Sequence, residues 1–268
     1  EVYSGGQLYG EETGSIEALQ LGDIAFARVS ASPVASYVPA LNAIQMPYLY
    51  KNADHMWAVL DGEIGKDMLA QIEASGSGLV GLCWYDAGAR SYYTTKKVAS
   101  VADMKGLKIR MQNNAMMVDM TNVLGGTGVT GIGPNEVYSA IKQGTIDGAE
   151  NNLPWYLSMS LNEVAPIITM DEHNRSADLL VIAKSTMDRL TPEQMAAIQE
   201  AADESSLYQR ELWAESEQKA REQCLDAGCT IIDLTPEERQ QFMDAVVELN
   251  ATEGAPYKDI LDKIAAMQ

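Results

Sequence analysis

The chain has 268 residues, of which 38 are acidic and 19 are basic, so its net charge is -19 at neutral pH. This length exceeds that of most single domains and favours two lobes. Such an acidic surface excludes binding to nucleic acid through the phosphate backbone and is repelled by anionic membranes. The sequence also lacks a run of about 18 apolar residues, the length that a membrane-spanning helix requires.

Helices alternate with short apolar strands through the first half of the chain. Apolar residues at helical spacing predict one continuous helix over 53–74, and the glycine pair at 125–126 marks the end of another helix. The chain opens at Glu1 as though inside a folded element, and we expect a further segment to precede it. The predicted elements are a helix at 13–20, a strand at 24–27, the helix at 53–74, strands at 79–85 and 108–111, and a helix at 115–124.

The second half contains one unusually long predicted helix. Thr191 is a typical cap residue, Pro192 suits a first helical turn, and the helical pattern then continues to about Ala227. About 36 helical residues span roughly 54 Å, which is longer than one lobe is wide. The other predicted elements are a helix at 135–142, strands at 146–150, 177–183 and 230–234, and a helix that starts at Pro236.

This alternation predicts an α/β fold with mixed sheets in two lobes. No linker rich in proline, glycine or serine separates the lobes, so we expect the chain to cross between them several times, with a hinge at the crossings. The first lobe is predicted to contain residues 1–87 and 176–212. The second lobe is predicted to contain residues 88–175 and 213–268.

The sequence lacks the signatures of common cofactors and catalytic groups. No Gly-x-Gly-x-x-Gly follows a strand, and neither a phosphate-binding Gly-Lys-Ser/Thr nor a Gly-x-Ser-x-Gly is present. Three consecutive residues such as Asp171-Glu172-His173 rarely converge on one metal ion, although an acid–base role for them stays an alternative. We therefore expect no cofactor, no metal and no enzymatic reaction.

The three cysteines leave one question open. Cys83 lies in an apolar run and is expected to be a buried free thiol. Cys224 and Cys229 bracket a predicted helix-to-strand turn, where an oxidising compartment would permit a disulfide. Cysteine is also an ordinary buried residue, so the spacing favours neither state of this pair.

Arginine ends one of the predicted strands. Residues 103–110 contain a glycine turn and then a short apolar strand that finishes in Arg110. A guanidinium offers a rigid pair of donors that matches a carboxylate, and a strand end that faces a cleft suits an anion anchor. From spacing alone, a surface arginine in an ion pair is the stronger interpretation.

Three further strand ends carry polar or aromatic side chains, and ligands of α/β proteins bind at the carboxyl ends of strands. The amides of Asn151 and Asn152, which precede Trp155, can both donate to and accept from hydroxyl groups. Taken alone, they are better explained as a turn with local capping. The other two strand ends contain Arg90 with Tyr92, and Arg28 with Ser30.

Six segments together carry a resemblance to a known family, and their combination is far more specific than any one of them. They are residues 2–10, 19–24, 46–50, 106–110, 136–144 and 146–152. In this order they resemble the DctP-type solute-binding proteins of TRAP (tripartite ATP-independent periplasmic) transporters, over essentially the whole chain. The resemblance implies a two-lobed fold like that of periplasmic binding proteins, with a hinge and a long helix that spans both lobes.

The resemblance also implies roles for three residues. Arg110 matches the arginine that pairs with the ligand carboxylate, Asn151 matches an asparagine that reaches the ligand, and Arg90 matches a second cleft arginine of members that bind larger acids. A family member would close around a small organic acid in the periplasm and deliver it to the membrane subunits of the transporter, without catalysis. A ligand-sensing domain and a sugar-acid enzyme are the alternative functions.

The mixture of side chains indicates the class of ligand. Arginines and amides, together with the hydroxyls of Ser30 and Tyr92 and the ring of Trp155, suit a carboxylate attached to a polyol or sugar ring. If the additional arginines are only surface residues, a C4-dicarboxylate or a hydroxy acid is the alternative. The segments that resemble sugar-acid-binding members, such as those for uronates, contain Arg28, Arg90 and His173.

Overall fold

Helices surround one mixed sheet in a computed structural model that describes residues 1–267. The α-helices are α1 (Glu12–Leu21), α2 (Ala31–Val34), α3 (Ala53–Leu60), α4 (Glu63–Ala74), α5 (Ala115–Val123), α6 (Val137–Lys142), α7 (Leu153–Ser158), α8 (Lys184–Met187), α9 (Pro192–Asp226), α10 (Pro236–Ala245), α11 (Val247–Gly254) and α12 (Lys258–Ala266). The strands are β1 (Phe26–Ser30), β2 (Leu79–Thr94), β3 (Lys108–Arg110), β4 (Thr127–Val129), β5 (Gly148–Asn151), β6 (Ile167–Ala183) and β7 (Thr230–Asp233). None of the described helices combines the length and the apolar character that crossing a membrane requires.

Two long antiparallel strands, β2 and β6, run through the centre of the sheet. The strand order is β1-β6-β2-β5-β3-β4, and β7 pairs in parallel with the first residues of β6. The register of β2 against β6 shifts between Asp86 and Ala89, where Gly88 has a φ of 71°. The predicted lobe boundaries at residues 87 and 175 stay predictions, and this shift lies beside them.

The long helix α9 covers the free edge of β2. Residues 79–89 of β2 pair with β6 on one side only, because β5 reaches no further than Ser91. Polar side chains of α9 bond the backbone along this edge, which would otherwise be open to pairing with another chain. The contacts are Gln199 Nε2 to Leu82 O at 2.9 Å, Ser206 Oγ to Trp84 O at 2.6 Å, Gln209 Nε2 to Asp86 O at 2.9 Å, and Asp86 N to Gln209 Oε1 at 2.9 Å.

Separate apolar clusters pack at the two ends of the sheet. A first cluster around β1 and helices α1 to α4 contains Leu41 and Val181, and a second, rich in methionine, contains Met120 and Phe242. The helix α9 contributes Ala202 to a cluster beside the start of β2 and Cys224 to a cluster near its end. The predicted α/β fold class, with a mixed sheet and one helix that spans both ends, is confirmed.

Several predicted elements differ from those observed; the strand predicted at 79–85, for example, continues to Thr94. The single helix at 53–74 is wrong: α3 ends at Leu60 and α4 begins at Glu63. A Cβ on Gly65 would lie only 1.9 Å from the carbonyl oxygen of Leu60, so this glycine permits a tight corner. The strand expected at 177–183 begins ten residues earlier, because polar residues such as Asp171 and His173 are buried within β6.

All three cysteines are buried free thiols, which settles the open alternative against a bond between Cys224 and Cys229. Cys83 is free and buried, as expected. Burial raises the pKa of Cys83 to about 11 and that of Cys224 to about 12. The thiols of Cys83 and Cys224 are therefore protonated and poorly reactive at neutral pH.

Candidate ligand-binding site

Arg110 ends β3, which lies between β4 and β5, and its side chain is buried. Its Nε donates to the carbonyl oxygen of Ile132 at 3.0 Å, and no carboxylate among residues 1–267 forms an ion pair with it. Burial lowers the pKa of the guanidinium, which the negative charge of Glu150 partly offsets. The interpretation as an exposed, ion-paired arginine is therefore wrong, and the terminal nitrogens remain for another partner.

A cavity of about 30 Å³ lies beside Arg110. Two stretches of the chain line it: one supplies Glu11, Glu12, Thr13 and Pro33, and the other supplies Arg110, Gln112, Asn113, Ile132 and Pro134. A volume of this size admits only one or two water molecules. We therefore expect the two stretches to move apart before a larger solute enters.

Glu12 lines the same cavity as Arg110. Its Oε1 accepts hydrogen bonds from the backbone N of Ser30 at 2.8 Å and from the Ser30 hydroxyl at 2.9 Å. Burial raises the pKa of Glu12, and the nearby Asp178 raises it further. The second oxygen, Oε2, is left to accept or donate a hydrogen bond in the cavity.

Arg90 and Glu150 form a buried ion pair next to this site. Arg90 Nη2 donates to Glu150 Oε1 at 2.9 Å, its Nε donates to Oε2, and its Nη1 donates to Asn151 Oδ1 at 3.0 Å. Burial alone would raise the pKa of Glu150, but Arg90 and His173 lower it to about 2. Because the oxygen of Asn151 is held by Arg90, the amide nitrogen of Asn151 is the part that remains for a ligand.

His173 extends this pair into a chain of alternating charges. Its Nδ1 lies 2.9 Å from Asp171 Oδ2 and its Nε2 lies 3.4 Å from Glu150 Oε2, and the ring is fully buried against Tyr92 at 4.5 Å between centroids. Burial would lower the pKa of His173, but Asp171 and Glu150 raise it to about 9. The imidazole is therefore protonated at neutral pH and donates to both carboxylates.

The remaining predicted site residues lie in different environments. Arg28 is about half exposed, at 48%, and forms an ion pair with Asp178 at 2.6 Å. Trp155 is half-buried in the first turn of α7, where its backbone N donates to the capping Asn152. Tyr92 is fully buried, and its hydroxyl lies 3.3 Å from Thr121 Oγ1. The predicted ligand contacts of Arg28, Trp155, Tyr92, Ser30 and His173 stay predictions.

Sequence reasoning missed the carboxylates that organise the site. Glu150 stands inside the segment at 146–152 and Glu12 lies two residues after the segment at 2–10, yet the sequence analysis gives neither a role in the site. The signal that could have indicated them is an acidic residue at a strand end or a helix start. Arginine and serine at neighbouring strand ends are the partners that such a residue can bond. Among residues 1–267, no group of three or more His, Cys, Asp or Glu side chains is arranged to hold a metal ion.

The comparison with protein families gives a clear match. The model of the bacterial extracellular solute-binding proteins, family 7 (DctP), matches residues 1–253. The chain belongs to this family. A solute-binding protein of Chromohalobacter salexigens is 38% identical over 226 residues, which are 83% of this chain and 66% of that relative, so the chain spans about two thirds of that relative's length.

Solved structures of family members resemble the whole chain. A TRAP periplasmic solute-binding protein from Pseudomonas putida F1 with bound D-glucuronate is 36% identical, with a TM-score of 0.96 and coverage of 100% of this chain and 86% of that one. A Citrobacter koseri TRAP protein with bound D-glucuronate is 32% identical, with a TM-score of 0.96 and coverage of 100% and 88%. The resemblance to TRAP solute-binding proteins is confirmed.

The Citrobacter koseri protein is also known in an apo, open form. That structure gives a TM-score of 0.85 at 30% identity, with 99% of this chain and 87% of that one covered. The present structure is therefore more similar to the glucuronate-bound form than to the open form. The narrow cavity beside Arg110 agrees with a closed cleft.

Proposed function

We propose that the chain is the periplasmic solute-binding protein of a TRAP transporter and that it captures a uronate such as D-glucuronate. One observation carries the proposal: the buried guanidinium of Arg110 has its terminal nitrogens free beside a cleft, in a chain whose solved relatives contain bound D-glucuronate. The captured acid is then delivered to the membrane subunits of the transporter.

The polar groups around the cavity suit a sugar acid. The carboxylate of the ligand pairs with the fork of Arg110. The ring hydroxyls can bond the amide nitrogen of Asn151 and the free oxygen of Glu12, because hydroxyls both donate and accept. Arg90 supports this site indirectly, since its bond to Asn151 Oδ1 fixes the orientation of that amide.

The proposed function includes no chemical reaction. A general acid or base must come within hydrogen-bond distance of the reacting atoms. His173 and Asp171 are fully buried, bond each other and do not line the cavity. Their contacts support a structural role and count against the alternative of a sugar-acid enzyme.

Calorimetric titration with two uronates, D-glucose, succinate and malate tests the proposal. We expect D-glucuronate and D-galacturonate to bind at one site, and D-glucose to fail because it lacks the carboxylate. Proton NMR of the mixtures after a day should show unchanged ligand. Binding of succinate or malate without binding of uronates would instead identify the C4-dicarboxylate or hydroxy-acid class, and a new product signal would identify an enzyme.

A further inference from the structure

Asn114, the neighbour of the cavity-lining Asn113, forms hydrogen bonds with two different parts of the fold. Its Oδ1 caps α5 by accepting from the backbone N of Met117 at 3.4 Å. Its Nδ2 donates to Asn42 Oδ1 at 3.0 Å and to the carbonyl oxygen of Ser32 at 3.3 Å. The side chain is only 7% exposed, so these bonds are sheltered from competing water.

Asn114 packs with one apolar cluster, and its two partners pack with the other. Ser32 immediately precedes Pro33, which lines the cavity on the side of α1. Asn42 belongs to the 3₁₀ turn Pro39–Gln45, whose apolar residues pack in the first cluster. Asn114 follows Asn113 on the side of Arg110, and α5 packs in the second cluster. The amide of Asn114 therefore links elements of two apolar cores next to the cavity.

We propose that Asn114, Asn42 and the carbonyl of Ser32 form a clasp that holds the cleft closed and slows release of the ligand. The inference rests on the proposed binding function of the same site. Hydrogen bonds that exist only when the two sides meet stabilise the closed state relative to the open one. They act mainly on dissociation, because the cleft must open before the ligand can leave.

The substitution Asn114→Ser isolates the clasp from the cap. Serine caps helices about as well as asparagine, but its hydroxyl is too short to bond both Asn42 and Ser32. Asn42→Ala removes the same bond from the other side. Asn52→Ser is the matched control, because Asn52 caps α3 through His55 N at 2.9 Å and makes no bond across the cleft.

Stopped-flow kinetics with D-glucuronate provide the first measurement. We expect Asn114→Ser to raise the dissociation rate about three- to tenfold, the effect of losing an ordinary hydrogen bond, with an association rate close to that of the wild type. Asn42→Ala should do the same, and the double variant should be no faster than Asn114→Ser alone. Unchanged dissociation in both single variants, or an equal effect of Asn52→Ser, would overturn the clasp.

A second measurement needs no ligand. Spin labels on Glu17→Cys in α1 and Val123→Cys in α5 report the separation of the two sides, and the native thiols are buried and protected from the label. Asn114→Ser should shift the distance distribution towards longer separations. If no uronate bound the wild type but the shift occurred, the proposed function would fail and the clasp would stand. If uronate bound but Asn114→Ser changed neither the dissociation rate nor the distance distribution, the clasp would be wrong and the proposed function would stand.

Discussion

Arg110 keeps a positive charge where burial disfavours it, so its contribution to binding should be large. We expect Arg110→Ala to weaken D-glucuronate binding at least about 100-fold, or about 2.7 kcal/mol, because the ligand carboxylate would be desolvated without a partner. Arg110→Lys should also be costly, since one ammonium cannot reproduce the paired donors of a guanidinium. Calorimetry measures both dissociation constants.

The control for this prediction is another arginine, which forms an ion pair with an exposed carboxylate. Arg221 pairs with Asp233 at 2.5 Å, and both side chains are substantially exposed. Arg221→Ala should leave the dissociation constant within about twofold of the wild type, because exposed ion pairs contribute little. Near-native affinity in Arg110→Ala would contradict the anchor role.

His173 makes the stability of the protein depend on pH. Its pKa of about 9 in the folded state lies above the ordinary value of 6.5, so its contribution is complete below pH 6.5 and is lost as pH rises through 9. We expect the free energy of unfolding to fall by roughly 2–3 kcal/mol between pH 6.5 and 9. Urea denaturation across this range measures the fall.

His173→Asn is the comparison for the pH experiment. The variant should be less stable at pH 6 and should lose most of the decrease towards pH 9. Glu150, with a folded pKa of about 2, contributes fully above pH 4.5 and so adds no change within this window. A decrease of equal size in His173→Asn would show that other groups cause it.

At the scale of single residues, the sequence indicated the arginine donors of the site better than the carboxylates near them. The role of Arg110 came from the family resemblance, because its local pattern of glycine turn, short strand and terminal arginine fits a surface residue better. Glu12 was missed, because only the packing of α1 places it at the same cavity as Arg110. The saturation of Arg90 by Glu150 likewise depends on the pairing of β2 with β5.

At the scale of elements, the contact between α9 and β2 gives a test of how the sheet edge is protected. Gln209 satisfies both the N–H and the C=O of Asp86, and an apolar side chain would leave both without a partner. We expect Gln209→Leu to lower the free energy of unfolding by about 2 kcal/mol, the cost of stranding sheltered polar groups. Hydrogen exchange at the amide of Asp86 should accelerate.

Gln218→Leu is the matched control, because Gln218 is exposed on the same helix. Its effect on unfolding by urea should stay within about 0.5 kcal/mol. If Gln209→Leu were as stable as this control and Asp86 exchanged at the wild-type rate, the covering role of α9 would be wrong.

The elements that were predicted well are those whose ends are marked locally. The start of α9 follows from Thr191 and Pro192, and its capping hydrogen bond from Gln194 to Thr191 is present. The corner between α3 and α4 could not be predicted, because the need for Gly65 arises only when the Leu60 carbonyl packs against it. Helical spacing continues across such a corner and hides it.

At the scale of the whole molecule, a net charge of -19 opposes the approach of an anionic ligand. We expect the association rate of D-glucuronate to rise about two- to fivefold between 10 and 150 mM salt, as the screening length shrinks from about 30 to about 8 Å. Stopped-flow mixing over this range measures it. A rate that falls with salt would show that the local field of Arg110 and Arg90 outweighs the net charge.

The helix α9, which bonds the edge of β2, begins at Pro192, well after β2 ends at Thr94. β6, the only partner along most of β2, begins at Ile167, and the first covering side chain, Gln199, comes later still. Until both have packed, β2 keeps an unpaired backbone edge that another unfolded chain can join. We expect a chain that lacks α9 to aggregate more readily than the complete protein.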